Sequence, residues 1–209
     1  VQDKCLYTQN YGEWSISVPA QLKGKLNISD KLTYLNLGPQ QYPGVTSLHL
    51  SKSVNEIELW YSTSQFPSLL SISVDAENTS FSTDPEGVML IKNSEVQFFC
   101  AGVSSINVPE GVTSCTLYYN FILPKKAKVL DLAAAGCQMT DINLTDYPYL
   151  QKLVTNDNVQ SISLVNLPGL QTLVMGKNVN SFGFRDTYNI ADFEISSGNE
   201  TFVKDANGV

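Results

Sequence analysis

Residues 150–164 read LQKLVTNDNVQSISL, and residues 170–184 read LQTLVMGKNVNSFGF. Overlaid, they set Leu150 on Leu170, Leu153 on Leu173, Val159 on Val179, Ile162 on Phe182 and Leu164 on Phe184. The step is 20 residues, and it reaches back through Leu130, Met139, Ile142 and Leu144 and forward to Ile190. A fixed apolar period of this size marks a stacked repeat, in which each unit touches mainly its neighbours.

The unit carries two short stretches in which apolar and polar residues alternate. Leu48-His49-Leu50 and Ile57-Glu58-Leu59 are one such pair. Period two predicts strands with alternate side chains turned inward. Asn, Gly, Lys and Ser between them predict turns. No segment keeps helical spacing for three turns. One unit alone buries too little apolar surface to offset the entropy of ordering some 20 residues, so the units must stack.

Outside the strict ladder the rung persists with longer returns. Val45, Leu48, Leu50, Val54, Ile57 and Leu59 fit it, followed by Leu69 and Ile72. Val103, Ile106, Val108, Val112, Cys115 and Leu117 form another copy, and Ile16, Val18 and Leu22 a weak one. Residues 23–44 and 118–129 match poorly. Eight or nine rungs are expected in all.

The ladder is interrupted once. After residues 74–88, Met89-Leu90-Ile91 and Val96-Gln97-Phe98-Phe99 flank the polar loop Lys92-Asn93-Ser94-Glu95. This reads as a β-hairpin inserted between rungs. The interruption's opening recurs at an offset of 121 residues: Asn78, Phe81, Asp84, Gly87 and Val88 answer to Asn199, Phe202, Asp205, Gly208 and Val209. The expected division is N-terminal rungs at 13–74, an inserted hairpin at 75–102, C-terminal rungs at 103–194 and the start of a second insertion at 195–209. On this reading the chain is a single repeat domain and a portion of a longer protein.

Composition narrows the partners. The chain has 209 residues, 43% apolar and only 16% charged, with a net charge of −7. The acidic balance and the lack of a basic stripe argue against nucleic acid and anionic membrane; Lys125, Lys126 and Lys128 read as a solvated loop. No apolar run reaches the ~20 residues that span a bilayer. The opening Val1-Gln2-Asp3-Lys4-Cys5 is neither a signal peptide nor an initiator Met, which implies upstream sequence removed.

Cys5, Cys100, Cys115 and Cys137 show no metal-ligand spacing, so no zinc and no other cofactor is expected. Cys115 and Cys137 stand at ladder positions and read as buried thiols. The sequence leaves a Cys100–Cys115 pairing open. The sequons at Asn27, Asn78, Asn143 and Asn199 are what 17 Asn and 36 Ser plus Thr yield by composition.

The single histidine, His49, lies between two core leucines and points outward, with no nucleophile motif beside it. Glu56/Glu58 and Asp141/Asp146 read as solvated carboxylates rather than a glycosidase pair. Asp141, Asp146 and Asp157 lack a calcium-loop pattern. The favoured candidate is the row of strand residues that alternates with the core: Ser47, His49, Ser71, Ser73, Ser105, Asn107, Lys152, Val154, Thr172, Val174, Asp192 and Glu194. Stacking would join them into one face, with Val154 and Val174 as an exposed apolar pair. Trp60 and Tyr61, at a rung's edge, are a second candidate contact and equally suit packing under the hairpin.

These features resemble the BspA-like leucine-rich repeat proteins of bacterial and protist cell surfaces. That family's repeat is similar to L-x-x-I-x-I-P-x-x-V-x-x-I, and Ile106-Asn107-Val108-Pro109-Glu110-Gly111-Val112-Thr113-Ser114 follows it closely. Its interruptions resemble N-x-x-(F/Y)-x-x-x-D-G-V-L, met here by Asn78, Phe81, Gly87, Val88 and, one step out, Leu90. Most rungs lack the family's Pro, and its G-x-x-A-F-x-x-C return is missing. The resemblance implies a mainly β, right-handed leucine-rich-repeat solenoid of short parallel strands. It also implies an extracellular, non-catalytic adhesion protein that binds host proteins, glycans or other cells. A structural spacer within a larger surface protein is the alternative reading, and a carbohydrate-active enzyme a remote one.

Overall fold

The computed structural model describes residues 5–58, 65–109, 112, 124–133 and 139–203. Every regular element among them is a β-strand. They form two compact units, one running to Val103 with Pro124 added, the other running from Ser104 onward.

The first unit opens on an antiparallel hairpin, β1 (Leu6–Asn10) and β2 (Glu13–Ser17), paired from Leu6↔Ser17 to Asn10↔Glu13. Residues 13–17 were expected to begin a rung, with Ile16 in its core. Instead Ile16 faces Tyr7 across the hairpin. The cause is the two-residue turn Tyr11-Gly12, both at positive φ (50° and 88°), which folds the chain straight back on itself.

Parallel rungs follow. β3 (Gly24–Asn27), β5 (Val45–Leu50) and β7 (Ser71–Val74) form one sheet, and β4 (Tyr34–Asn36) and β6 (Glu56–Glu58) another. Leu26, Leu48 and Ile72 stack in register and are buried. Residues 23–44, the poor match, therefore hold a complete rung. Leu26, Ile28, Leu32 and Leu35 stand 22 residues before Leu48, Leu50, Val54 and Ile57, a step that a fixed period of 20 passes over.

β8 (Ser82–Thr83), β9 (Met89–Lys92) and β10 (Glu95–Phe99) make an antiparallel sheet in which β9 is central. The loop between β9 and β10 is only Asn93-Ser94, both at positive φ (53° and 63°), so the strands run two residues further into the polar stretch than expected. Phe98 stands edge-on to Phe66 at 6.3 Å, and Phe66 stacks on Tyr42 at 5.5 Å. The hairpin is thereby tied to the rung core of its own unit.

In the second unit β11 (Ser105–Asn107), β12 (Val129–Asp131), β14 (Lys152–Val154), β16 (Thr172–Met175) and β18 (Asp192–Ile195) form a five-stranded parallel sheet. β13 (Asp141–Thr145), β15 (Ser161–Val165) and β17 (Ser181–Arg185) form a second parallel sheet. Leu130 stacks on Leu153 and not on Leu150. The first copy of the ladder is thus shifted by three residues on this side, and it returns to register at Ile142↔Ile162↔Phe182. Ala127 takes the place that Leu150 holds one rung later, buried like it.

The fold is an all-β, parallel-strand solenoid of about seven turns. Corners close by short backbone bonds across three residues, as at Val45 to Tyr42, Leu69 to Phe66, Leu150 to Tyr147 and Leu170 to Leu167. A second set joins Leu32 to Ser29, Val54 to Ser51, Val159 to Asn156 and Val179 to Gly176. Asn78 (to Asp75) and Asn199 (to Ser196) occupy this same second corner. Cys100 is a fully buried thiol whose pKa burial pushes up to about 12. Cys115, Cys137, Trp60 and Tyr61 lie outside the described residues.

Candidate recognition surface

Parallel in-register pairing fixes the outward rows, because equivalent residues on adjacent strands stand one strand spacing, about 4.8 Å, apart. In the first unit two columns form: Lys25–Ser47–Ser71 and Asn27–His49–Ser73. In the second, Ser105–Val129–Lys152–Thr172–Asp192 runs beside Asn107–Asp131–Val154–Val174–Glu194. The sequence-derived row thus lies on two sheets, one in each unit. Ser47, His49, Ser71 and Ser73 come together on one. Ser105, Asn107, Lys152, Val154, Thr172, Val174, Asp192 and Glu194 come together on the other.

Lys25, Asn27, Val129 and Asp131 belong to these columns and were not read from the sequence. The first pair sits in the rung that the 20-residue step misses. The second flanks Leu130, which the ladder had aligned with Leu150 rather than Leu153.

Val154 and Val174 are not an exposed apolar pair. Val154 is only 9% exposed and Val174 is half-buried. The two valines pair with each other, and the column continues to Asp131 beside Val154 and to Glu194 beside Val174. The accessible part of this face is mainly polar: Ser105, Asn107, Asp192 and Glu194 are exposed, and Lys152 and Thr172, like Val129 and Val174, half-exposed.

On the first unit's face His49 Nδ1 lies 2.9 Å from Ser73 Oγ, and Ser71 Oγ donates to Ser47 Oγ at 3.2 Å. Adjacent strands thus pair their outward side chains. The His49–Ser73 contact joins equivalent positions of two stacked strands, which is the geometry of a cross-strand pair. The acidic candidates disperse in the same way. Glu58 Oε2 accepts from the Tyr34 hydroxyl and, at 2.7 Å, from Asn36 Nδ2. Asp146 accepts from Asn166 Nδ2 at 2.7 Å, while Asp157 Oδ1 accepts from the Lys177 backbone N–H at 2.9 Å. Among the described residues, no three His, Cys, Asp or Glu side chains are grouped to hold a metal ion. Among the described residues no helix is long and apolar enough to cross a membrane.

A concavity lies elsewhere in the first unit. β1–β2 and β4 enclose a pocket of about 350 Å³ lined by Asn10, Tyr11, Glu13, Trp14, Tyr34 and Asn36, with Ser15 and Ile16. Tyr34 is 43% exposed and its phenol is held above its ordinary pKa, chiefly by its bond to Glu58. Nothing in the sequence signals this pocket, because the alternation of Trp14 and Ile16 with polar residues suits a rung as well as a hairpin.

No family model and no curated protein sequence matches the chain. Solved structures do. The pneumococcal vaccine antigen PcpA is 16% identical with a TM-score of 0.52, over 88% of this chain and 61% of that one. A leucine-rich repeat protein from Eubacterium ventriosum is 12% identical with a TM-score of 0.43, over 88% of this chain and 68% of that one. A leucine-rich cell surface protein from Faecalibacterium prausnitzii is 12% identical with a TM-score of 0.46, over 84% and 60%. The likeness to PcpA is one of fold, and the chain spans 61% of that antigen's length.

Proposed function

We propose that this chain is a non-catalytic recognition protein of a cell surface, of the BspA-like kind, which binds a host protein, a glycan or another cell through its outward strand columns. The observation that carries the reading is the register. Ser105, Lys152, Thr172 and Asp192 stand in one line on five paired strands, with Asn107, Asp131 and Glu194 in the next. Such a face is carried on five hydrogen-bonded strands, so a partner binding it pays little for ordering its backbone. It is also polar, with both charge signs, which suits a wet, specific contact. A solved structure that shares the fold is a vaccine antigen, which accords with an extracellular location.

The burial of Val154 directs the test. A charge placed there would damage the core, whereas Lys152→Glu and Thr172→Glu alter only the face. Binding to intact cells, matrix proteins and a glycan array is measured for the wild-type chain and both variants. Loss of binding in variants that melt like wild type supports the reading; retention of full binding by both sinks it. The spacer reading draws on the side-chain pairing of His49 with Ser73 and of Ser71 with Ser47, which leaves that face quiet. It expects no partner for the wild-type chain.

A further inference from the structure

The pocket between the first hairpin and β4 is not required by the repeat. The stacked rungs are complete without β1 and β2, which add no strand to the parallel sheets. What the hairpin adds is an aromatic-walled concavity of about 350 Å³. We propose that this pocket binds a neutral saccharide. The proposal does not rest on the strand columns, which lie on other strands.

The chemistry of the walls selects the ligand class. Tyr11 is fully exposed at the turn, Tyr34 is 43% exposed, and Trp14 is half-buried in the same lining. Aromatic faces of this kind offer a π surface to the weakly positive C–H face of a sugar ring. Asn10, Asn36 and Glu13 stand in the same wall and can donate to or accept from ring hydroxyls. The wall is set before any ligand arrives, since Glu58 Oε2 holds both the Tyr34 hydroxyl and Asn36 Nδ2, and Asn36 Oδ1 accepts from Gly38 N at 2.7 Å. Preorganisation of this sort lowers the cost of binding.

Other classes fit less well. Anions would meet Glu13 and Glu58, in a chain of net charge −7. A cationic ligand would normally seek the Trp14 ring, but Lys31 Nζ already stands 4.4 Å from its centroid and repels a second cation. An extended apolar ligand would desolvate the Glu13 carboxylate and the Asn10 amide of the wall without replacing their water. A small, uncharged, polyhydroxylated molecule satisfies each constraint, and the volume admits about one or two sugar rings.

The test is calorimetric titration of the chain with glucose, galactose, mannose, N-acetylglucosamine, lactose and maltose, with 3′-sialyllactose as the anionic counterpart of lactose. At least one neutral sugar is expected to bind with a Kd of about 1 mM or tighter, and the sialylated form more weakly than lactose. Trp14→Ala should lower affinity about tenfold or more. Tyr11→Ala, at a fully exposed turn residue, should lower it several-fold, and serves if Trp14→Ala fails to fold. The proposal is overturned if no neutral sugar binds at about 10 mM, or if the folded variants bind as wild type does. Failure here leaves the strand-column reading standing, because that reading is scored by Lys152 and Thr172.

Discussion

Asn78 and Asn199, 121 positions apart, are held by the same four hydrogen bonds. Asn78 Nδ2 donates to the carbonyls of Ser51 and Val54, both at 2.8 Å, and its Oδ1 accepts from the N–H groups of Ser80 and Phe81, both at 2.8 Å. Asn199 Nδ2 donates to Gly176 at 3.1 Å and Val179 at 2.9 Å, and its Oδ1 accepts from Thr201 at 2.9 Å and Phe202 at 2.7 Å. Each asparagine sits where other rungs carry Leu32, Val54, Val159 or Val179. Its amide reaches the equivalent corner of the rung before it, while Phe81 and Phe202 take the place of the next core residue. Phe202 meets Phe182 edge-on at 6.5 Å. The interruption is therefore a rung whose second strand has been exchanged for a side-chain clamp.

This clamp predicts an order of damage. Asn78→Ala removes four bonds and leaves two carbonyls short of a donor, which should cost about 3 kcal/mol in urea unfolding. Asn78→Asp should cost more, because a carboxylate oxygen then faces the carbonyls of Ser51 and Val54. Equal stability of Asn78→Asp and wild type would contradict the clamp. The same bonding engages the Nδ2 groups of both sequon asparagines, Asn78 and Asn199, within the folded chain.

A second ladder, of left-handed residues, runs along the second unit. Asp146, Asn166 and Asp186 recur at 20 residues with φ of 60°, 57° and 54°, and Asn166 donates to Asp146 at 2.7 Å. Asp and Asn tolerate this conformation better than other residues with a Cβ, and Gly best of all. Asn166→Ala should therefore lower stability by about 1 kcal/mol, and Asn166→Gly by clearly less. Thermal unfolding of the two variants side by side checks it; Gly no better than Ala would refute a conformational cause.

Two buried acids give the fold an alkaline limit. Burial raises Cys100 from 9.0 to about 12 and Tyr147 from 10.0 to about 12. A raised pKa in the folded state stabilises below the unfolded value and is lost as pH climbs through the folded one. The contribution of Cys100 should thus be complete below about pH 9 and fade towards pH 12. Urea midpoints of wild type and Cys100→Ala, measured across this range, should converge as pH rises. A constant difference would count against a buried neutral thiol. Peptide mapping after alkylation at pH 8 should find Cys100 modified only once urea unfolds the chain.

The repeat was legible because stacking demands the same side chain at the same place in every rung, and Leu150/Leu170 and Ile162/Phe182 meet that demand. The hairpin at Met89–Phe99 was legible because two apolar runs flank a short polar one. The opening hairpin was not. Trp14 and Ile16 alternate with polar residues as any strand does, and only the backbone of Tyr11-Gly12 decides between antiparallel return and stacking. Register was hidden wherever the step varies: Leu130 pairs with Leu153 rather than with Leu150, while Ile142 pairs with Ile162 on the 20-residue step. The outward columns followed from the alternation, but burial did not: Val154 alternates with core residues and is nonetheless covered by its neighbours.

The central claim is that the outward columns of the second unit recognise a partner. The most direct measurement is binding of the purified chain to intact cells by flow cytometry, comparing wild type with Lys152→Glu and Thr172→Glu after thermal melts establish that all three are folded. The account predicts saturable wild-type binding that falls about tenfold or more in the variants. Saturable binding that both folded variants retain in full would contradict it.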